Sequence, residues 1–268
     1  MKVVTFNLVF WNLGRTNNPS LVRDCIVSTD ADVALFAEWG RLDLDALASL
    51  LSEEYAILPS MSPDAKVIAV FKKACGLTIR REQSRYAIYS YTISGRQFVL
   101  AGVHLPDKRS HPNDAARRAT SQKLVEDVRN DREYLSCNDA VIIGDFNAEP
   151  YDEIMLTPDV FNAVYFKDVI SRSRYRIWQG KKFEYLYNPM LCNYSEVGPQ
   201  YGSFYCSNND LETYWHCIDQ VLVTPGLSSA IKAVRHLRAI SGESLLATYT
   251  PRKSTSDHLP LCVEFFIE

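Results

Sequence analysis

Nine short apolar runs, each bounded by turn residues, constrain the fold of this chain more than any other feature. They are rich in Val, Ile, Leu, Phe and Tyr, as β-strands are, and they lie at 2–11, 33–37, 66–71, 77–80, 86–93, 97–103, 140–143, 218–223 and 261–267. Apolar residues at helical spacing occur at 19–28, 43–51 and 113–131. Many strands with few helices predict a layered α/β structure in which helices cover the outer faces of sheets.

Three of these runs stop abruptly at polar residues that are poor strand formers. The first is followed by Glu38, the second by His104, and the third by Gly144 and Asp145. Strand ends and the loops after them are where a rigid sheet presents side chains for chemistry. We therefore expect a functional site where these strand ends meet.

Composition excludes several classes of protein. The 268 residues are 47% hydrophobic and include 29 basic and 32 acidic residues, a net charge of −3. This mixture excludes a disordered chain, a membrane bundle and a uniformly basic protein that coats nucleic acid. No repeat or Gly/Ser-rich linker divides the sequence, so we expect a single domain over 1–268. The seven cysteines form no C-x-x-C pair and no signal-peptide pattern is present, which predicts a cytoplasmic protein with reduced thiols.

One segment, about 151–215, is predicted to be an irregular insertion of aromatic and basic character. Within it, 167–187 contains six basic residues against two acidic ones, a net charge of +4. Arg172, Arg174 and Arg176 stand close to Trp178, and such interleaving predicts phosphate contacts beside stacking platforms for bases. The alternative is a folded insertion whose aromatic residues face the core while its cations are solvated.

Two short motifs contain groups suited to phosphate chemistry. Asp145 and Asn147 are two residues apart, so in extended backbone they would point the same way and could share one ligand or water. The alternative is a turn that follows a strand. In the second motif, Asp257 precedes His258, which places a carboxylate beside a group that exchanges protons near neutral pH. Its alternative is an ordinary surface loop.

Taken together, these segments resemble the endonuclease/exonuclease/phosphatase superfamily of metal-dependent phosphoesterases, which includes the DNase I-like nucleases. The matching motifs are Phe10-Trp11-Asn12, the run from Asp32 to Glu38, Gly102-Val103-His104-Leu105, Gly144-Asp145-Phe146-Asn147, and Ile218-Asp219-Gln220-Val221-Leu222 followed by Ser256-Asp257-His258. The resemblance implies a four-layer α/β sandwich of two packed mixed β-sheets flanked by helices. It also implies a site at the edge where these strand ends converge.

The resemblance also implies roles for individual residues. Glu38 would be the principal metal carboxylate, with Asn12 and Asp257 near the same ion. Hard oxygen donors of this kind suit Mg²⁺ or Mn²⁺ and suit zinc poorly. The remaining five implied site residues are catalytic. Asp145 and Asn147 would orient the attacking water and a phosphoryl oxygen. His258 would be the active-site histidine with Asp219 as its orienting partner, and His104 would be a second histidine that contacts phosphate or acts as general acid. Which histidine performs which role stays open.

The first strand contains two asparagines, and only one of them can point into the site. Asn7 and Asn12 are five residues apart and so lie on opposite faces of the strand. We favour Asn12, because it ends the apolar run as the other site residues do. The remaining histidines are predicted to be structural: His216 as packing or lining, His236 as structural or exposed, and His111 as a helix cap.

These residues predict a Mg²⁺-dependent phosphodiester hydrolase, with Mn²⁺ as a possible substitute. We favour a nuclease, an endonuclease or exonuclease acting on DNA or RNA as its partner, because of the basic and aromatic insertion. The alternative enzyme is a phosphatase or phosphodiesterase that acts on a small or lipid-linked phosphate. An inactive binding module is disfavoured, because none of the expected metal or histidine positions is missing.

Overall fold

A computed structural model gives the fold for residues 3–14, 16–107, 114–191, 202–206, 215–252 and 254–268. Within them it contains five α-helices: α1 (Pro19–Ser28), α2 (Leu44–Leu50), α3 (Asp114–Tyr134), α4 (Glu153–Leu156) and α5 (Lys167–Arg172). The strands of the first half are β1 (Val4–Asn12), β2 (Val33–Ala37), β3 (Tyr55–Leu58), β4 (Val67–Lys72), β5 (Thr78–Glu82), β6 (Tyr86–Ile93), β7 (Arg96–His104) and β8 (Ala140–Asp145).

The strands of the second half are mostly short. They are β9 (Ala163–Val164), β10 (Tyr175–Trp178), β11 (Lys181–Glu184), β12 (Leu186–Tyr187), β13 (Phe204–Tyr205), β14 (Trp215–His216), β15 (Asp219–Val223), β16 (Ile231–His236), β17 (Ala239–Ile240), β18 (Glu243–Ser244), β19 (Leu246–Ala247), β20 (Thr250–Pro251) and β21 (Leu261–Ile267). No helix among the described residues is long and apolar enough to cross a membrane.

Two large mixed sheets form the body of the structure. Sheet A has six strands in the order β16-β21-β1-β2-β4-β3, and sheet B has seven in the order β5-β6-β7-β8-β15-β12-β9. Two-stranded ribbons are formed by β10 with β11, β13 with β14, β17 with β18, and β19 with β20. Parallel pairing joins β1 to β2 in sheet A and β7 to β8 in sheet B, so these strand pairs have their carboxyl ends at a common edge.

Three layers of buried side chains show how the sheets and helices are stacked. The central layer lies between the sheets and joins Leu8 and Leu35 of sheet A with Ile143 of sheet B. A second layer packs α3 on the outer face of sheet B, and a third packs α1 and α2 on the outer face of sheet A. The order is therefore helix, sheet, sheet, helix, which confirms the predicted four-layer α/β sandwich.

Apolar residues on both faces of the main strands explain why the sequence predicted their positions well. In β1, Leu8 and Phe10 face the other sheet while Val9 and Trp11 face the helices, so both faces are apolar and the run is easily recognised. The three predicted helices and nine predicted strands are all present, with ends shifted by at most a few residues. The strands β3 and β16 were missed by the prediction, because both are only half-buried and alternate less clearly. Asn113, the predicted cap of α3, lies outside the described residues.

Gly144 allows β8 to approach β7 closely just before the site. Its φ is +153°, a conformation that L side chains rarely adopt, and a β-carbon at this position would overlap the carbonyl oxygen of Val103. We expect Gly144→Ala to lower the free energy of unfolding by roughly 3 kcal/mol or more, measured by urea denaturation. Gly40→Ala is the matched control, since a β-carbon there meets no atom within 4 Å. Equal midpoints for the two variants would contradict this account.

Candidate active site

Three neighbouring strands of sheet B present polar side chains in one row. His104 ends β7 and is the register partner of Asp145 at the end of parallel β8. Asp145 is in turn the partner of Asp219, the first residue of antiparallel β15. All three side chains are buried. Strand register therefore places a histidine and two carboxylates side by side, although they are far apart in the sequence.

Sheet A contributes the facing wall of the site. Asn12 ends β1 opposite Ala37, and Glu38 follows β2 with left-handed backbone at φ 51°. Two contacts join the sheets here: Asn12 Nδ2 donates to Asp145 Oδ2 at 2.9 Å, and His104 Nε2 lies 3.4 Å from Glu38 Oε1. Left-handed backbone at a residue other than glycine is unfavourable and persists only where the surrounding structure holds it. The site is thus formed where the edges of the two sheets meet.

His258 and Asp219 form a buried histidine–carboxylate pair. His258 Nδ1 lies 2.7 Å from Asp219 Oδ2, so the ring's other nitrogen, Nε2, faces Asp145 Oδ2 at 4.0 Å. Burial by itself would lower the pKa of His258, but the charge of Asp219 and the hydrogen bond to it outweigh burial and raise this pKa to about 10. The imidazolium in turn holds the pKa of Asp219 below its ordinary value despite burial. His258 is therefore a cation that points one N–H towards the site.

Asp145 and His104 differ from the charged pair of His258 and Asp219, because their surroundings favour the uncharged form of each. Burial and the nearby negative charge of Asp219 raise the pKa of Asp145 to about 7. Burial, with the positive charge of His258 adding to it, lowers the pKa of His104 to about 4. At neutral pH His104 is uncharged, while Asp145 is poised to give or accept a proton. A group whose pKa lies near the working pH is best suited to general acid–base catalysis.

The exposed side of the site contains a cradle of oxygen donors around Gly14. A β-carbon built on Gly14 would lie 3.0 Å from Asp257 Oδ1 and 3.9 Å from Glu38 Oε2, so two exposed carboxylates flank this point. Asn12 Oδ1 accepts a hydrogen bond from Gly14 N at 3.1 Å and retains a second lone pair. Two carboxylates and an amide oxygen are the donor set that Mg²⁺ and Mn²⁺ prefer, so these residues fit such an ion.

A second group of possible ligands is better explained as the histidine–carboxylate pair. Asp145, Asp219 and His258 offer ligand atoms that lie within 4.8 Å of one another. All three side chains are buried, and His258 already engages Asp219 through Nδ1. The cradle of Asn12, Glu38 and Asp257, by contrast, has two exposed carboxylates.

The backbone at Asn147 differs from the extended conformation on which the sequence argument relied. Its φ is 47°, and its N–H donates to Asp145 Oδ1 at 2.9 Å, so this part of the motif is a turn. The side-chain Nδ2 donates to the carbonyl of Leu105 at 2.8 Å. The interpretation that both side chains point the same way from a strand is therefore wrong. Asn147 instead fixes Asp145 through its backbone and joins the loops that follow β7 and β8.

Arg117 joins the same two loops through hydrogen bonds, and no sequence pattern indicated this residue. This buried residue of α3 donates from Nε to Pro106 O at 3.1 Å and from Nη2 to Asn147 O at 2.9 Å. The guanidinium therefore bridges the segment after His104 to the segment after Asp145. A planar group with several fixed donors can make both bonds at once, whereas an ammonium group cannot reproduce this geometry.

We expect Arg117→Met to lower kcat by about 10- to 100-fold, because loss of the bridge displaces two loops whose placement sets the reacting geometry. KM should change much less. Arg118→Met is the matched control. Arg118 is the next residue of α3, and its guanidinium lies 2.7 Å from Asp159 on the surface. If Arg117→Lys restored full turnover, charge alone would be sufficient and the bridging role would be excluded.

The support around His258 also includes residues that sequence reasoning missed. The ring of Phe204 lies 4.8 Å from the His258 ring, and Ser203 Oγ accepts a hydrogen bond from Asp219 N at 3.0 Å. Trp11 Nε1 donates to the carbonyl of His258 at 3.0 Å. Trp11 was visible as part of the motif that ends β1. Ser203 and Phe204 were not, because nothing in their local sequence distinguishes them.

The two described histidines outside the motifs lie near the site without joining the row. His216 Nδ1 is 2.8 Å from Glu149 Oε1. His236 is buried, with Nε2 at 3.3 Å from the carbonyl oxygen of Asp219, and burial lowers its pKa. His236 thus supports the site from behind. His111 lies outside the described residues.

The basic residues of the insertion are not brought to the site. Arg172 is exposed and lies 3.5 Å from Asp168, while Arg176 donates from Nη2 to the carbonyl of Leu156. Arg174 and Trp178 are exposed on the ribbon of β10 and β11. This ribbon is held by Arg132 near the end of α3, which donates both to Glu184 and to the carbonyl of Asn138.

No family model and no curated protein matches the sequence. Solved structures do match. ANGEL2, described as a 2′,3′-cyclic phosphatase, is 15% identical with a TM-score of 0.65, over 99% of this chain and 96% of that one. An endonuclease/exonuclease/phosphatase family protein from Bacteroides thetaiotaomicron is 13% identical with a TM-score of 0.59, over 100% of both chains. The 3′ phosphatase NExo from Neisseria, bound to a product DNA hairpin, is 17% identical with a TM-score of 0.53, over 97% of this chain and 99% of that one.

Proposed function

From the fold that this chain shares with those proteins, DNase I-like and common to nucleases and phosphatases, we propose that it is a Mg²⁺-dependent phosphodiester hydrolase. The observation that supports this best is the meeting of the two sheet edges. There a protonated His258 and a titratable Asp145 stand beside the cradle of Glu38 and Asp257. Such a site combines a cation, a general base and a hydrogen-bond donor around one phosphate.

The chain's own residues divide the proton transfers between them. Asp145 takes a proton from the water that attacks phosphorus, and the bond to the leaving oxygen breaks in line with that attack. His258 Nε2 first donates a hydrogen bond to a phosphoryl oxygen. It then transfers its proton to the leaving oxygen. Asp219 keeps His258 charged and fixes its orientation through Nδ1. His104 is uncharged and positions a phosphoryl oxygen by hydrogen bonding.

Asn12, Glu38 and Asp257 would hold the divalent cation. When bound, this ion offsets negative charge on the phosphate and favours deprotonation of water. Mg²⁺ is the preferred ion because the donors are all oxygen, and Mn²⁺ should substitute for the same reason.

We propose nucleic acid, DNA or RNA, as the substrate. Support comes from the aromatic and basic insertion and from NExo, whose structure contains a product DNA hairpin. The second candidate is hydrolysis of a small terminal or cyclic phosphate, favoured by the phosphatase activity named for ANGEL2 and NExo. A cytoplasmic location is also proposed, because the six cysteines that the structure describes are free thiols.

A purified-protein assay distinguishes the two substrates. Labelled single-stranded DNA, duplex DNA, RNA, a 2′,3′-cyclic nucleotide and p-nitrophenyl phosphate would each be incubated with Mg²⁺ or with EDTA. We expect shortened nucleic-acid products with Mg²⁺ and none with EDTA. Turnover of the cyclic or monoester substrate with nucleic acid left intact would select the phosphatase. Turnover that persists in EDTA would contradict both.

Glu38→Gln tests the cradle. Replacing a carboxylate by an amide removes one charge from the cation site, so the Mg²⁺ concentration that gives half-maximal activity should rise about 10- to 100-fold. Asp45→Asn is the control, since this carboxylate lies in α2, directly beyond the turn that follows Glu38. Isothermal titration with Mg²⁺ alone should show the same weakening. An unchanged Mg²⁺ requirement would exclude Glu38 as a ligand.

A further inference from the structure

The ribbon of β10 and β11 exposes aromatic side chains that the core does not use. Tyr175 is 41% exposed, Ile177 66% and Trp178 39%. Large apolar side chains are seldom grouped on a free surface unless they contact a partner. The rings of Trp178 and Phe183 pack against each other at 6.0 Å on the face of the ribbon opposite to Tyr175.

Cations surround these rings. Arg174, Lys181 and Lys182 are exposed, and Lys182 Nζ lies 4.6 Å from the centre of the Tyr175 ring. In the part of the chain that the structure describes, no carboxylate forms an ion pair with any of the three. Register puts Tyr175 and Lys182 on one face of the ribbon, and Trp178 and Lys181 on the other. We call Arg174, Tyr175 and Lys182 the ribbon patch. It combines one exposed ring with two cations.

A cavity of about 580 Å³ adjoins the ribbon patch. It lies between the ribbon and the second half of α3, and its lining includes Arg129, Arg174, Tyr175 and Lys182. Arg129 is exposed and adds a further cation to the same surface. The lining also includes Glu133, Asp159 and Glu184. Asp159 is paired with Arg118 and Glu184 with Arg132, so the positive charge of this concave surface lies at Arg129, Arg174 and Lys182.

The position of this surface relative to the catalytic row follows from α3. Arg132 binds Glu184 of the ribbon at 2.6 Å, and Arg117 binds the loop at Asn147. These two residues of one helix are fifteen positions apart, about 22 Å along the helix axis, so the patch lies outside the catalytic row.

We propose that the ribbon patch is a second binding site for single-stranded nucleic acid, outside the catalytic site. The exposed Tyr175 ring can stack only on a base that is not paired, and Arg174 and Lys182 can contact the neighbouring phosphates. This inference rests on the proposed nuclease function. It extends that function by assigning the grip on the substrate to a surface outside the catalytic site.

The test compares a triple variant of the full chain with a double variant that serves as its control. Arg174→Gln/Tyr175→Ser/Lys182→Gln removes the patch, and Lys232→Gln/Phe266→Ser is the control, because Lys232 Nζ stacks on the Phe266 ring at 4.2 Å elsewhere. Binding of a labelled 12-nucleotide single strand is measured by fluorescence anisotropy in EDTA. Loss of one stacked base should raise Kd about 5- to 150-fold, and loss of two phosphate contacts should reduce the salt-dependence slope by about 1.4.

Hydrolysis provides the second readout. KM for the single strand should rise in the patch variant, while turnover of bis(p-nitrophenyl) phosphate stays at the parental rate. Equal Kd values for the patch and control variants would overturn the inference, as would equally strong competition by polyglutamate or by phosphatidylserine vesicles. If the parent binds the strand through the patch but cuts none, the proposed function fails and the binding site stands.

Discussion

Asp145→Asn is expected to lower kcat by about 10³- to 10⁴-fold while leaving the protein folded. The amide has nearly the same shape, but it can accept only one of the two hydrogen bonds that Asn12 Nδ2 and the Asn147 N–H donate to Asp145, a loss of about 1 kcal/mol. It cannot take a proton from water. Because burial disfavours the charged form of Asp145 and raises its pKa to about 7, removing the charge should not lower the free energy of unfolding at pH 8. Activity and stability should therefore change independently.

The matched control for this variant lies at the other end of the same strand. Asp139, just before β8, is also buried and is paired with Arg96 at 2.5 Å. Asp139→Asn should destabilise the protein, because it removes the buried carboxylate that binds the Arg96 guanidinium, yet it should retain parental turnover. Single-turnover rates and urea midpoints of both variants check this. Near-parental turnover in Asp145→Asn would remove Asp145 from the chemistry.

Asp219→Asn is expected to have the second largest effect, a decrease in kcat of about 10²- to 10⁴-fold. The carboxylate keeps His258 protonated and oriented through Nδ1, so its replacement should lower the pKa of His258 from about 10 towards that of an ordinary buried histidine. The imidazole would then be neutral at pH 8. Phosphate would lose a cationic donor, and the leaving oxygen would lose its proton source.

An NMR titration of the His258 ring distinguishes this electrostatic role from a structural one. The ring should remain protonated at pH 8 in the parent and become neutral in Asp219→Asn. Asp131→Asn is the control, because Asp131 is equally buried and is paired with Arg81 at 2.8 Å near the C-terminal end of α3. That variant should leave both the His258 titration and kcat unchanged. A His258 ring with the same pKa in the parent and in Asp219→Asn would contradict the paired-cation account.

Much of the framework was predictable because it is recorded in local patterns. Strands such as β2 and β6 alternate or run continuously apolar, and their predicted bounds agree with the structure. The site motifs follow these strands directly, so Glu38 and Asp145 could be placed at strand ends without any coordinates. At Asn147 the sequence left extended backbone and a turn open, and the structure has the turn.

The sequence alone determined the strand positions, the layered α/β class and the set of acids, amides and histidines at the strand ends, because each of these depends on neighbouring residues. Tertiary structure decided which of these groups meet. The pairing of His258 with Asp219 depends on the register between strands, and the opposite pKa shifts of Asp145 and His104 depend on burial between two sheets. Long-range packing also placed the ribbon patch beside the second half of α3, outside the catalytic row. Distances across the fold are set by packing, which no local pattern records.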